Sequence, residues 1–128
     1  MKSIPFFIDG VHGGFMKVEG IIRYENEGLY LEYQTKDALV EAYQSSIKTV
    51  HLPLEAISYA EFKTGWFRTR LLIYADSGKT LEAIPGKELT MRTFSFKKRH
   101  RVHAANLVSK LNLELSEWKL KKLDEAES

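Results

Sequence analysis

Side chains able to do chemistry are few in this sequence, and their spacing is informative. Four histidines occur, His12, His51, His100 and His103. His100 and His103 stand i, i+3, which brings both to one face of a helix. A zinc site would need a third protein ligand, and no His-Glu-x-x-His run is present. Both lie beside Lys98, Arg99 and Arg101, a positive field that disfavours a cation, so solvated surface histidines and no metal are expected. With no cysteine there is no disulfide framework, no thiolate ligand and no cysteine nucleophile. Gly10-Val11-His12-Gly13-Gly14 lacks the glycine spacing and following helix of a dinucleotide fingerprint or a phosphate loop, and reads as a turn. No Gly-x-Ser-x-Gly elbow offers a serine nucleophile. The 17 carboxylates are scattered on outward strand positions, with no pair marked for acid–base work. Neither an enzyme nor a cofactor is expected.

Two clusters suit binding better than catalysis. Lys97-Lys98-Arg99-His100-Arg101 puts four cations within five residues, with Arg92 nearby in sequence. The cluster falls where a strand gives way to a helix, whose N-terminal partial charge repels each exposed cation by about 0.3–1 kcal/mol. Arg92, Lys97, Lys98, Arg99 and Arg101 are therefore a candidate anion site, because free backbone N–H groups and basic side chains would converge there. The plainer reading is a solvated run with a helix that starts later. The second cluster is Lys63-Thr64-Gly65-Trp66-Phe67-Arg68, with Arg70 beyond it. Trp66 and Phe67 are expected to pack across the end of the fold, the commoner fate of large aromatics. Left exposed, they would form an interface, with the cations snorkelling around them.

The elements that must position these groups are mostly strands. Met16, Val18, Gly20, Ile22 and Tyr24 share one face of a period-two run, and Asn26-Glu27-Gly28 turns it into a second run with Leu29, Leu31 and Tyr33 inward. A polar loop is predicted over Lys36 to Ser45. Further strands are predicted over Ile47–Leu52, Ile57–Lys63, Arg68–Ala75, Thr80–Ile84 and Met91–Phe96, with a corner at Pro53. Ile4-Pro5-Phe6-Phe7-Ile8 is set apart as a possible edge strand. Ala104, Leu107, Val108, Leu111 and Leu115 then form the stripe of an amphipathic helix starting near Arg99. Val102, Leu113, Trp118 and Leu123 lie beyond one stripe, available to the core or to a partner chain. Glu114 to Ser128 carries five acids against three lysines, an acidic extension of the helix or a frayed end.

At 128 residues and 14.8 kDa the chain fits one domain, with hydrophobic content of 44% and charged content of 28% near globular averages. Net charge is only +2, too weak a field to point to nucleic acid. The apolar run at residues 4–8 is too short for a signal-peptide core or a membrane span, so a soluble cytoplasmic protein is the expectation.

Seven antiparallel strands followed by one C-terminal amphipathic helix resembles the pleckstrin-homology-like superfold. Val50-His51-Leu52-Pro53-Leu54-Glu55-Ala56-Ile57 is similar to the bacterial PH-like and GRAM-like pattern, in which an apolar-Pro corner leads to an Ile that starts the next strand. Gly65-Trp66-Phe67, Leu71-Leu72-Ile73-Tyr74 and the Asp76–Lys79 turn continue it. The expected fold is mainly β (α+β): a PH-like seven-stranded antiparallel bent sheet or barrel capped by one helix. An N-terminal extended segment (1–14) would precede the PH-like domain (15–115), with a helical or frayed tail at 116–128. The resemblance implies a non-catalytic binding module that contacts a protein partner or self-associates. The alternative is binding of an anionic lipid headgroup or nucleic acid through residues 97–101, and a third reading is a small apolar ligand between helix and sheet. Where phosphoinositide-binding PH domains place cations, in the first hairpin loop, this chain has Glu25-Asn26-Glu27-Gly28. Inositol phosphate recognition is not implied at that loop. Trp66, Phe67 and Trp118 are the candidate interface residues.

Overall fold

Apolar alternation builds one sheet, and the spacing of its last apolar stripe builds the helix that covers it. The computed structural model describes residues 2–11, 14, 16–37 and 46–127. His12, and most of the polar loop expected over 36–45, lie outside the described residues. Seven strands run in chain order: β1 (Ile4–Val11), β2 (Met16–Tyr24), β3 (Gly28–Asp37), β4 (Lys48–Pro53), β5 (Tyr59–Thr64), β6 (Thr69–Tyr74) and β7 (Met91–Phe96). A four-residue helix, α1 (Gly78–Leu81), precedes β7, and a long helix, α2 (Arg101–Glu127), ends the described chain.

The strands form one antiparallel sheet in the order β4-β3-β2-β1-β7-β6-β5. The fold is mainly β with a capping helix, as the sequence predicts, but the sheet stays open: β4 and β5 are its two edges. Two meanders, β1–β4 and β5–β7, meet where β1 pairs with β7 at the single position Phe7↔Ser95. Across this junction the Phe6 and Phe94 rings meet edge to face, with centroids 5.2 Å apart. Inward residues of both meanders join one core with the stripe of α2, in which Ala104, Leu107, Val108, Leu111 and Leu115 are all buried. The helix packs against β2 and the Leu54–Ala56 turn on one side and against β5 and β6 on the other.

Two strand expectations change. Ile4–Ile8, set apart as a possible edge, is the inner part of β1, the central strand of the sheet. Ile4, Phe6 and Ile8 supply its buried face. Pro5 suggested an edge because it cannot donate to a ladder. It is tolerated here where β1 pairs with β2, its other neighbour β7 being bridged only at Phe7. Thr80–Ile84, expected as a strand, is instead α1 and the turn that follows. Ser77 caps that helix, its Oγ accepting from the Lys79 N–H at 3.2 Å. The two buried residues, Leu81 and Ile84, stand i, i+3 and bury as a helical turn does. Tyr33 reaches from β3 to donate its hydroxyl to the Ala83 carbonyl, and burial raises the pKa of its phenol.

Close backbone approach occurs at Gly20, in the middle of β2 on its inward face. A Cβ there would lie 2.1 Å from the Glu32 carbonyl oxygen and 2.7 Å from the Tyr33 Cβ, both on β3. Such contacts leave no room for a side chain. Gly20→Ala is expected to lower stability in a urea titration by about 1–3 kcal/mol. Gly65→Ala, whose nearest contact would be an ordinary 3.7 Å to the Arg68 carbonyl oxygen, should stay within about 0.5 kcal/mol of the parent.

Candidate functional site

The tip between β5 and β6 closes on itself through the Gly65 N–H, which donates to the Arg68 carbonyl at 2.7 Å. Thr64↔Thr69 is the last ladder pair, so Trp66 and Phe67 stand outside the sheet. Both are in solvent, Trp66 at 83% and Phe67 at 87% exposure. This corrects the expectation that they pack across the end of the fold: the short turn carries them past the last buried row, where Thr69 is 1% exposed. Their rings meet edge to face, with centroids 6.3 Å apart. Lys63 and Arg68 flank them, both exposed.

A strand-to-helix turn of opposite origin meets this tip. Lys97 leaves β7 in an extended conformation, and the His100 N–H bonds its carbonyl at 2.8 Å to form a 3-10 turn over Lys98–His100. The α-helix proper begins at Arg101, two residues later than the sequence places it. Arg101 ties the two segments together, its Nε donating to Thr69 Oγ1 and its Nη2 to the Gly65 carbonyl, each at 3.4 Å. Lys97, Lys98 and Arg99 are exposed and make no ion pair among the described residues.

Between the two segments lies the outer face of β1. A surface hollow of about 370 Å³ is lined by Pro5, Phe7, Gly20, Lys97, Arg99 and His100, with the carboxylates of Asp9 and Glu19 on its wall. A smaller one beside it, of about 150 Å³, joins Phe7 and Asp9 to Phe67 and Arg68 of the tip. Glu19 is neutralised locally. Lys36 bonds it at 2.7 Å and Lys17 at 3.2 Å, and the Lys36 hydrogen bond is the main cause that holds its carboxyl below the ordinary range. The His100 imidazole is shifted down, first by partial burial and then by Arg99, its nearest cation. It is therefore largely neutral at pH 7. Among the described residues no three His, Asp or Glu side chains gather as metal ligands.

Of the residues singled out from sequence, Lys97, Lys98, Arg99, Arg101, Trp66 and Phe67 come together at this end of the sheet. Arg92 does not. It lies on the inward face of β7 with Phe94 and Phe96 and is only 6% exposed. Its Nε donates to the Ile84 carbonyl at 2.6 Å, and Nη1 donates to the Met91 carbonyl at 2.8 Å and to that of Glu88. Arg92 thus pins the 84–91 loop and leaves the anion cluster. Trp118 is also elsewhere, half-buried on α2 against the core with Lys122 5.6 Å above its ring. Sequence reasoning missed Phe7 as a lining residue. Its signal was an aromatic at an outward position of the Ile4-Phe6-Ile8 alternation.

Comparison with known proteins finds no matching family model, no matching curated protein and no matching solved structure. No helix among the described residues is long and apolar enough to cross a membrane.

Opposite effects on stability are expected from the two kinds of cation. Arg92→Ala strands the loop carbonyls and should lower unfolding free energy by about 1–3 kcal/mol in urea. Lys98→Glu, placed in the turn leading into α2, should raise it by about 0.3–1 kcal/mol at low ionic strength.

Proposed function

We propose that this chain is a non-catalytic, PH-like binding module whose working surface is the aromatic and cationic end of the sheet, and that this end docks on an anionic lipid surface. The carrying observation is the exposure of Trp66 and Phe67 beside Lys63, Arg68, Lys97, Lys98 and Arg99. Two protruding aromatics supply only a small part of the roughly 800 Å² that a standard protein interface buries on each side. They do suit insertion by about 5–10 Å into the boundary between headgroups and acyl chains. Flanking lysines and arginines then lie at headgroup level, each worth about 1 kcal/mol near an anionic membrane surface. The Asp9 carboxylate on the wall of the larger hollow favours docking on an extended surface over enclosure of a single phosphate. The two meanders followed by a helix, and the sequence's lack of cysteine, serine elbow or zinc motif, support the PH-like and non-catalytic parts of this reading.

Flotation of the purified protein with phosphatidylglycerol-containing and pure phosphatidylcholine vesicles across a salt series tests it. Binding to the anionic vesicles should weaken steeply with salt, and Trp66→Ala/Phe67→Ala should reduce it by roughly tenfold or more. Lys97→Ala/Lys98→Ala/Arg99→Ala should flatten the salt dependence. Because the imidazole of His100 is held below its ordinary pKa, it gains charge only under acid conditions. Anionic-vesicle binding should therefore strengthen as pH falls below the ordinary imidazole range. Wild-type protein that ignores both vesicle types at low salt would overturn the lipid reading and leave a protein partner as the function of this end.

A further inference from the structure

Helix α2 is apolar on two opposite sides. One side is the buried stripe from Ala104 to Leu115, prolonged by Trp118. On the other, Val102, Leu113, Leu120 and Leu123 are exposed at 69%, 56%, 62% and 60%. Separations of 11 and 7 residues bring Val102, Leu113 and Leu120 back to nearly the same azimuth of an α-helix. Exposed Asn106, Ser109 and Ser116 fill the intervening positions, so 102, 106, 109, 113, 116, 120 and 123 alternate steps of four and three. That is the spacing of a helix–helix seam. It faces away from the sheet, and among the described residues nothing covers it.

We propose that this seam pairs antiparallel with the same seam of a second copy of the chain. Charge selects both the occupant and the direction. Within α2, residues 101–113 carry Arg101 and Lys110 and no acid, whereas residues 114–127 carry five acids and three lysines. A parallel partner would set like against like, and an antiparallel one sets each basic half beside an acidic half. With Leu113 of one copy packed near Ser116 of the other, Leu120 meets Ser109 and Asn106 meets Leu123, so large faces small in alternate layers. The flanking row then pairs Lys110 with Glu117 of the second copy, and His103 with its Asp124. Antiparallel pairing also opposes the two helix dipoles, which answers the conflict between the basic start of α2 and its own N-terminal partial charge. The pairing goes beyond the lipid reading and does not depend on it.

Sedimentation equilibrium of the full chain, without lipid, from about 1 to 500 µM reads the pairing directly. Wild type should form a dimer across this range. Leu113→Glu/Leu120→Glu, altered only at exposed positions, should remain folded by circular dichroism and sediment as a monomer. K110E and E117K should each weaken self-association roughly tenfold or more, by placing like charges across the axis. An equimolar mixture of K110E and E117K should restore the dimer, because every cross-pair is then opposite in sign. As the chain has no cysteine, N106C mixed with L123C should cross-link to a mixed dimer on oxidation. Wild type that stays monomeric, or a dimer indifferent to Leu113→Glu/Leu120→Glu, would overturn the proposal. So would a K110E–E117K mixture no more dimeric than its components, or N106C cross-linking chiefly to itself.

Discussion

An open sheet with an apolar inner face is stable only if something lies across it, and here that is a single helical stripe. Leu107, Leu111 and Ala104 are fully buried, with Val108 and Leu115 nearly so. Each large side chain among them contributes about 1.5–3 kcal/mol of burial free energy. Because β1 joins β7 at one pair only, the ladder itself does little to hold the two meanders in place. Packing does it: α2 touches β2 and the Leu54–Ala56 turn from one meander and β5 and β6 from the other. The inner faces, the Phe6–Phe94 contact and the helix stripe are one core, so the relation between meanders is set by side chains more than by backbone hydrogen bonds.

The same helix organises the exposed chemistry at its first residue. Arg101 holds the carbonyl of Gly65 and the hydroxyl of Thr69, which fixes the β5–β6 tip relative to the basic turn. The cations thus serve separate purposes. Arg92 is buried and satisfies loop carbonyls, Arg101 links two segments, and Lys97, Lys98 and Arg99 are left to solvent. A count of charge along the sequence gathers all five, while the structure divides them by where each guanidinium or ammonium finds acceptors.

Periodicity carried the parts of the structure that depend on one local pattern. Val18 and Ile22 of β2, Leu29, Leu31 and Tyr33 of β3 and all five stripe residues of α2 are buried, because alternation and i, i+3, i+4 spacing report burial directly. Other parts depend on information that a period does not hold. Ile4–Ile8 has the alternation of a strand, but its place at the centre of the sheet follows from pairing with residues some ninety positions away. Thr80–Ile84 mixes a period-two appearance with a Ser77 cap, and the cap wins because Leu81 and Ile84 bury as a helical turn. For the site, residue types were legible and exposure was not. Trp66 and Phe67 look like core residues by composition, and only the tightness of the Gly65–Arg68 turn puts them in water.

The single pair between β1 and β7 also bears on how the chain comes to its shape. Strands β1 to β4 are neighbours in sequence and can zip in order as they are made. The bridge at Phe7 has to wait for Ser95, and the lid over the core has to wait for α2. During synthesis the N-terminal meander therefore spends the translation of some fifty further residues with its inner face uncovered. Closure of such distant contacts is slow compared with local turn formation. The growing chain passes through a half-built, apolar sheet, and α2, emerging after all seven strands, ends that exposure.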